Sequence, residues 1–308
     1  MTAPSAPLPI VVGVDSSRSA SHAVRWAARE AARQGTPLRL VHVCALVPAG
    51  YSDPDARLSG YADVLIEHGR QVLREATDAA RTVAGTVEVG TDLRDGTITK
   101  VLVEESRNAR LIVLGTRGLG GFNELLVGPV SVTLAAHAHC PVVVTRSSTL
   151  DAPPPETGPV VVGVDGSPLS DAAVAFALEA ASSRAVPLLA VHSWLDVEPT
   201  AAWTPLPSIV DREAVHADED RVFAERLGGW QDKYPTVEVR RVVSADHPAR
   251  ALLQAAGNAQ LVVVGSRGRG ALTGLGLGSV SQHLLHHAPC PVAVVRRAHP
   301  QLHVSRWG

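Results

Sequence analysis

Residues 10–16 read IVVGVDS, and residues 160–166 read VVVGVDG. The two stretches lie 150 positions apart. The same offset relates Pro37 to Pro187, His42 to His192, Leu111–Gly115 (LIVLG) to Leu261–Gly265 (LVVVG), and Cys140–Val144 (CPVVV) to Cys290–Val294 (CPVAV). A register held this far along the chain marks an internal duplication. The period is too long for a solenoid, so each copy is expected to be a complete domain. A length of 308 residues, at roughly 150 per domain, agrees. The join falls at residues 147–159, SSTLDAPPPETGP, where three successive prolines favour an extended spacer. The expected boundaries are a first domain over 1–146, a linker over 147–158, a second domain over 159–297 and a tail over 298–308.

Composition narrows the class. Hydrophobic residues make up 45% and charged residues 19% of the chain, which suits a globular protein with a large core and excludes a disordered one. A net charge of -2 argues against an electrostatic grip on nucleic acid and against a polybasic membrane anchor. No apolar run approaches the ~18 residues of a membrane span, and the opening MTAPSAPLP lacks the features of a secretory signal. Three cysteines, Cys44, Cys140 and Cys290, are too few for a disulfide framework, so a reduced, cytoplasmic protein is expected.

Within each copy, short apolar runs alternate with longer amphipathic stretches. In the first, Ile10–Val14 reads as a buried strand. Residues 19–33 then place Ala20, Ala23, Val24, Ala27, Ala28 and Ala31 on one helical face. Leu38–Val43 is the second strand. Residues 61–81 form the second helix, with Val64, Leu65, Val72 and Leu73 expected inward. Thr86–Gly90 is a weaker third strand, Thr97–Asn108 a helix, Leu111–Leu114 a strong strand, Pro129–Ala138 a helix and Pro141–Thr145 the last strand. The second copy repeats this order. Alternating strands and helices predict an α/β domain with a mostly parallel sheet covered on both faces. Ligands of such sheets bind beyond the C-terminal strand ends, where strand order reverses.

The loops at those ends carry the candidate chemistry. After the fourth strand of the second copy come Gly265-Ser-Arg-Gly268, nine residues, and Gly278-Ser279-Val280-Ser281. The first copy has Gly115-Thr-Arg-Gly118, nine residues, and Gly128-Pro129-Val130-Ser131. Glycines let backbone N–H groups approach an anion, and the helix beginning at Gly128 or Gly278 turns its free N–H groups and positive dipole end toward the loop. The Ser279 hydroxyl adds a donor. Arg117 and Arg267 either neutralise phosphate charge or stand in solvent.

The pattern Gly265-x2-Gly268-x9-Gly278-Ser279, the opening VVGVDGS and the closing Cys-Pro-Val strand resemble the universal stress proteins, and specifically their tandem two-domain actinobacterial members. The resemblance spans nearly the whole chain. It implies two Rossmann-like domains, each a five-stranded parallel sheet of order 3-2-1-4-5, with ATP across the ends of strands 1 and 4. By the same resemblance, Gly13-Val14-Asp15 and Gly163-Val164-Asp165 would meet the adenosine part, chiefly through the two carboxylates. The backbone at Val43 and Ser193 would meet adenine. The Gly loops with Val130, Ser131, Val280 and Ser281 would hold ribose and phosphates, with or without Mg2+. Asp15 and Asp165 also suit N-cap or turn positions, a role compatible with binding.

The first copy departs from the family pattern at Pro129, which has neither N–H nor hydroxyl. Losing a hydrogen bond to a charged group costs about 1.5–3 kcal/mol, or roughly 10- to 100-fold in affinity. The second domain is therefore expected to bind ATP more tightly.

Other chemistries lack support. There is no G-x4-GK[ST] loop, no G-x-G-x-x-G after the first strand and no G-x-S-x-G elbow. His283, His286 and His287 cluster on one predicted helix without a further arranged ligand, so no metal site is expected. Cys140 and Cys290 read as buried structural thiols. Trp194 and Trp203, after the second strand of the second copy, pack the core by default, and the alternatives are covering adenine or packing a partner. The expected function is a nucleotide-binding stress-response module and not an enzyme, since no dedicated base is evident. The alternatives are a slow adenine-nucleotide hydrolase or transferase, and a nucleotide-free interaction protein. The family also implies pairing through the fifth strands, within one chain as a pseudo-dimer or between chains as a homodimer.

Overall fold

Ile10, Val11 and Val12 are at most 1% exposed. They form the first strand in a computed structural model that describes residues 7–44, 58–116, 127–146, 157–194, 212–268 and 276–296. The chain divides into two units, Met1–Ser147 and Ser148–Gly308. The first runs β1 (Ile10–Gly13), α1 (Arg18–Gln34), β2 (Leu38–Cys44), α2 (Leu58–Val83), β3 (Val89–Asp95), α3 (Ile98–Glu105), β4 (Leu111–Gly115), α4 (Pro129–His137) and β5 (Val142–Thr145). The second runs β6 (Val160–Gly163), α5 (Pro168–Arg184), β7 (Leu188–Ser193), α6 (Arg212–Gln231), β8 (Val239–Ser244), α7 (Pro248–Ala255), β9 (Leu261–Gly265), α8 (Ser279–His287) and β10 (Val292–Val295).

Within each unit every strand pairing is parallel. The order is β3-β2-β1-β4-β5 in the first and β8-β7-β6-β9-β10 in the second, as the family resemblance implies. In the first unit α1 packs on α2, and α3 on α4, so the sheet carries a helical layer on each face. The N-terminal linker residues through 156, and the tail from 297, lie outside the described residues. No helix among the described residues is long and apolar enough to cross a membrane.

The helical periodicity of α1 is accurate: Ala20, Ala23, Val24, Ala27, Ala28 and Ala31 are all buried. Ser17 caps this helix by accepting from the Ala20 N–H at 3.1 Å, and Ser167 caps α5 from Ser170 at 3.2 Å. Three expectations need correction. Val64 is 65% exposed while Val72 and Leu73 are buried. At about 100° per residue, Val64 falls on the side of α2 opposite Leu73. The third strand starts at Val89 instead of Thr86 and continues to Asp95, paired along β2 from Leu38 to Cys44. Its charged residues disguise it, and they form a ladder. Asp92 accepts from Arg39 at 2.6 Å and from Arg94 at 3.2 Å, and Glu105 accepts from Arg94 at 3.0 Å. Finally, the helix expected over 97–108 is α-helical only to Glu105 and tightens to a 3-10 turn over Ser106–Asn108.

The two units solve one local problem differently. Helix α1 ends in a left-handed residue, Gly35, at φ 61°, and α5 ends in Ala185 at φ 52°. A Cβ in that conformation costs roughly 1–2 kcal/mol, partly offset by the looser unfolded state of glycine. Ala185→Gly should therefore stabilise the chain by about 0.5–1 kcal/mol and Gly35→Ala should destabilise it by a similar amount, as read from urea unfolding midpoints.

Candidate functional site

In each unit the chain leaves the first strand toward one edge and the fourth toward the other. Val12 pairs with Val113, and Val162 with Val263, so the ends of these neighbouring strands flank the reversal point. Asp15 and Asp165 follow the first strand there. Each accepts the backbone N–H two residues on, Ser17 at 3.0 Å and Ser167 at 2.9 Å, through one carboxylate oxygen. The carboxylate thus closes the turn after the first strand through one oxygen.

The Gly loop of the second unit returns to this carboxylate. A Cβ on Gly268 would stand 2.5 Å from Asp165 Oδ2. The loop is closed at its base, where Gly278 N–H donates to the Ser266 carbonyl at 2.8 Å. The Ser281 hydroxyl donates to the Gly265 carbonyl at 2.9 Å and lies 3.1 Å from that of Ser266. A Cβ on Gly278 would meet Arg267 Cα at 3.3 Å. The first unit repeats the closure, with Gly128 N–H to the Thr116 carbonyl at 2.7 Å and Ser131 Oγ to the Gly115 carbonyl at 2.9 Å. Arg117 and Gly118 lie outside the described residues, as does Trp203.

Helix α8 starts at Gly278, an N-cap without a side-chain hydrogen bond, and the N–H groups of Ser279, Val280 and Ser281 have no partner within the helix. Ser279 is exposed and half-buried Val280 follows it. Helix α4 starts at Gly128 with Pro129 at its first position, leaving the N–H groups of Val130 and Ser131. Ser131 and Ser281 were expected among the residues around ribose and phosphates. Their hydroxyls are buried and donate to the Gly115 and Gly265 carbonyls, so they brace the helix on the loop.

Several glycines serve packing. A Cβ on Gly13 would meet Leu114 at 2.8 Å, and one on Gly163 would meet Leu252 at 3.0 Å. One on Gly115 would fall 2.3 Å from Ser19 Oγ, whereas Gly265 faces Leu169 and the Arg267 carbonyl at 3.2 Å. These residues let the covering helices approach the strand ends. Val14 and Val164 are buried beside them. Val43 lies in β2 two residues past the partner of Gly13, and Ser193 ends β7, its hydroxyl donating to the Asp246 carbonyl. Next to it, Trp194 Nε1 is buried and has no hydrogen-bond partner among the described residues. An orphaned donor of this kind suits a site that completes itself with a ligand or water. Asp171, in the first turn of α5, has its carboxyl raised first by burial and further by Asp165, against the lowering effect of Arg226.

Sequence reasoning missed one pair. His42 Nδ1 lies 2.8 Å from the Val14 carbonyl, and His192 Nδ1 lies 2.7 Å from that of Val164. Each ring clasps the peptide immediately before the site aspartate. The signal was present as a polar residue repeated within an apolar strand.

The other groups stand apart. Burial pushes the Cys140 and Cys290 thiols up to about 12. His283 and His287 rings are 4.5 Å apart, with His283 lowered by desolvation, then by His287 and His247. No group of three or more metal-binding side chains occurs among the described residues.

A doubly wound parallel sheet with a closed Gly loop at its reversal point, present twice, defines a tandem Rossmann-like protein. The universal stress protein family matches residues 8–146 and 156–296, and the chain belongs to that family. It is 42% identical over 292 residues to universal stress protein Rv2005c of Mycobacterium tuberculosis, covering 94% of this chain and 97% of that one. It is 41% identical over 304 residues to universal stress protein Rv2623 of the same species, covering 97% and 99%. A universal stress protein structure from Archaeoglobus fulgidus shares the fold at 21% identity, with a TM-score of 0.69 over 94% of this chain and 98% of that one.

The bracing serines and the exposed one should separate cleanly. Ser281→Ala removes the hydroxyl donor from the Gly265 carbonyl and should lower unfolding free energy by about 1–3 kcal/mol, whereas Ser279→Ala should stay within about 0.5 kcal/mol of the parent in the same urea titration.

Proposed function

We propose that this chain is an ATP-binding regulatory module, with the nucleotide held at the reversal point of each domain and more tightly in the second. The observation that carries the reading is the approach of Gly268 to the Asp165 carboxylate, at the rim of a closed loop leading into α8. A carboxylate there accepts from ribose hydroxyls, which are donors. The α8 N–H groups and the Ser279 hydroxyl are donors for phosphate oxygens, which only accept. In this reading the acceptors serve the ribose end and the donors the phosphate end of one nucleotide. Trp194 Nε1 offers a further donor.

In the first domain Pro129 removes one N–H and one hydroxyl, and the Ser131 hydroxyl is already donated to Gly115. The expected difference in affinity is roughly 10- to 100-fold. No described residue is assigned as a base for water in this reading, and the protein holds ATP, with or without Mg2+, as a bound ligand. Binding would stabilise the folded chain by mass action, which is the property a regulatory ligand exploits.

Calorimetric titration of nucleotide-free protein with ATP tests the reading. Two unequal sites are expected. Gly268→Ala, whose methyl displaces only the end of a flexible side chain, should weaken the tighter site by about tenfold or more while leaving the urea midpoint nearly unchanged. Absence of heat from the parent chain, or an unaffected Gly268→Ala variant, contradicts it.

A further inference from the structure

The two histidine clasps are alike at Nδ1 and differ at Nε2. In the second domain His192 Nε2 lies 3.1 Å from Glu219 Oε2, on helix α6. A carbonyl faces one ring nitrogen and a carboxylate faces the other. Both are acceptors, so the ring makes both bonds when each nitrogen carries a proton. Phe223, one turn along α6, packs on the same ring with centroids 5.5 Å apart. In the first domain the position matching Glu219 under the 150-residue offset is Gly69. There is no room for a side chain at that point. A Cβ on Gly69 would stand 2.6 Å from Leu93 Cδ1, 2.9 Å from His42 Cδ2 and 3.1 Å from Cys44 Sγ. Helix α2 therefore lies close against His42, and α6 instead reaches His192 through a carboxylate.

The clasped peptide is tied from both sides. Val164 N–H donates to the Val191 carbonyl at 2.9 Å, and its own carbonyl faces His192. The next residue is Asp165, whose carboxylate meets Gly268. A displacement of α6 thus has a short route, Glu219 to His192 to Val164 to Asp165, into the candidate nucleotide site. We propose that Glu219, acting through His192, positions the nucleotide-binding turn of the second domain, so that the affinity of this site is set from helix α6 by a hydrogen bond where the first domain packs α2 on His42. The proposal rests on the nucleotide-binding reading above. Glu219 and His192 are positioning residues in it, since neither is placed against the ligand.

The test uses the full chain freed of nucleotide, with Glu219→Ala, His192→Asn and, as a control for charge, Asp218→Ala on the neighbouring position, whose side chain is 77% exposed. Asparagine retains a donor near the Nδ1 position but does not reach α6. Amide hydrogen exchange at Gly166 and Ser167 reads the turn directly without any ligand, and calorimetry reads ATP affinity. Glu219→Ala should speed exchange at both amides and weaken the tighter ATP site about three- to tenfold, the loss of one charge-assisted contact outside the site. His192→Asn should match it, and the double variant should show no added loss, because both remove one link. Asp218→Ala should move neither reading. Unchanged exchange in Glu219→Ala, equal effects from Asp218→Ala, or additive losses in the double variant would overturn the linkage. A parent chain that binds no ATP sinks the functional reading and the affinity claim together, and the exchange data still decide whether the α6 link exists.

Discussion

Each domain depends on the burial of its first strand between the second and the fourth. Ile10–Val12 and Val160–Val162 are at most 1% exposed, with parallel partners on both sides. Such a strand must be left by crossovers that run in opposite directions, and a crevice opens where they part. Asp15, Asp165, Gly268 and the starts of α4 and α8 all follow the strand ends at that reversal. Closure of the Gly loop by Gly278 on Ser266, and by Gly128 on Thr116, then fixes where the following helix begins.

The duplication preserves this frame and varies its fittings. Gly35 and Ala185 occupy one left-handed cap. Pro129 and Ser279 begin matching helices with different donor sets. Gly69 and Glu219 face matching histidines, one by contact and one by a hydrogen bond. The Arg39–Asp92 ion pair of the first domain has Leu189 and Val242 at the matching positions of the second. None of these changes alters strand order, which is set by the buried apolar strands. Pro129 and Ser279, and Gly69 and Glu219, lie on the elements that flank the candidate site, so two copies of one fold differ there without differing in strand order.

Much of this was legible in the sequence because burial on both faces writes strands as unbroken apolar runs. The strands around Ile10, Leu111 and Val142 could be read for that reason. The third strand was read but set too early, at Thr86–Gly90 instead of Val89–Asp95, since its residues are largely half-buried or exposed and carry an ion-pair ladder. Val64 was misplaced by a phase error that a neighbouring leucine concealed. The positions of Asp165 and the Gly loop followed from motif and spacing, but the direction of a hydroxyl did not. Ser281 has the composition of a phosphate donor, yet its rotamer turns it to the Gly265 carbonyl. The repeated histidine within an apolar strand was visible, but its partner, a carbonyl 28 residues earlier, was not.

The central claim is that this member of the universal stress protein family carries ATP unequally in its two domains. Denaturing protein purified without added nucleotide, then identifying and counting what is released by chromatography and mass spectrometry, tests it most directly. The account predicts about one adenine nucleotide per chain, recovered as ATP, because a site roughly 10- to 100-fold weaker empties during purification. About two per chain would contradict the inequality, and none released together with no heat on adding ATP would contradict nucleotide binding itself.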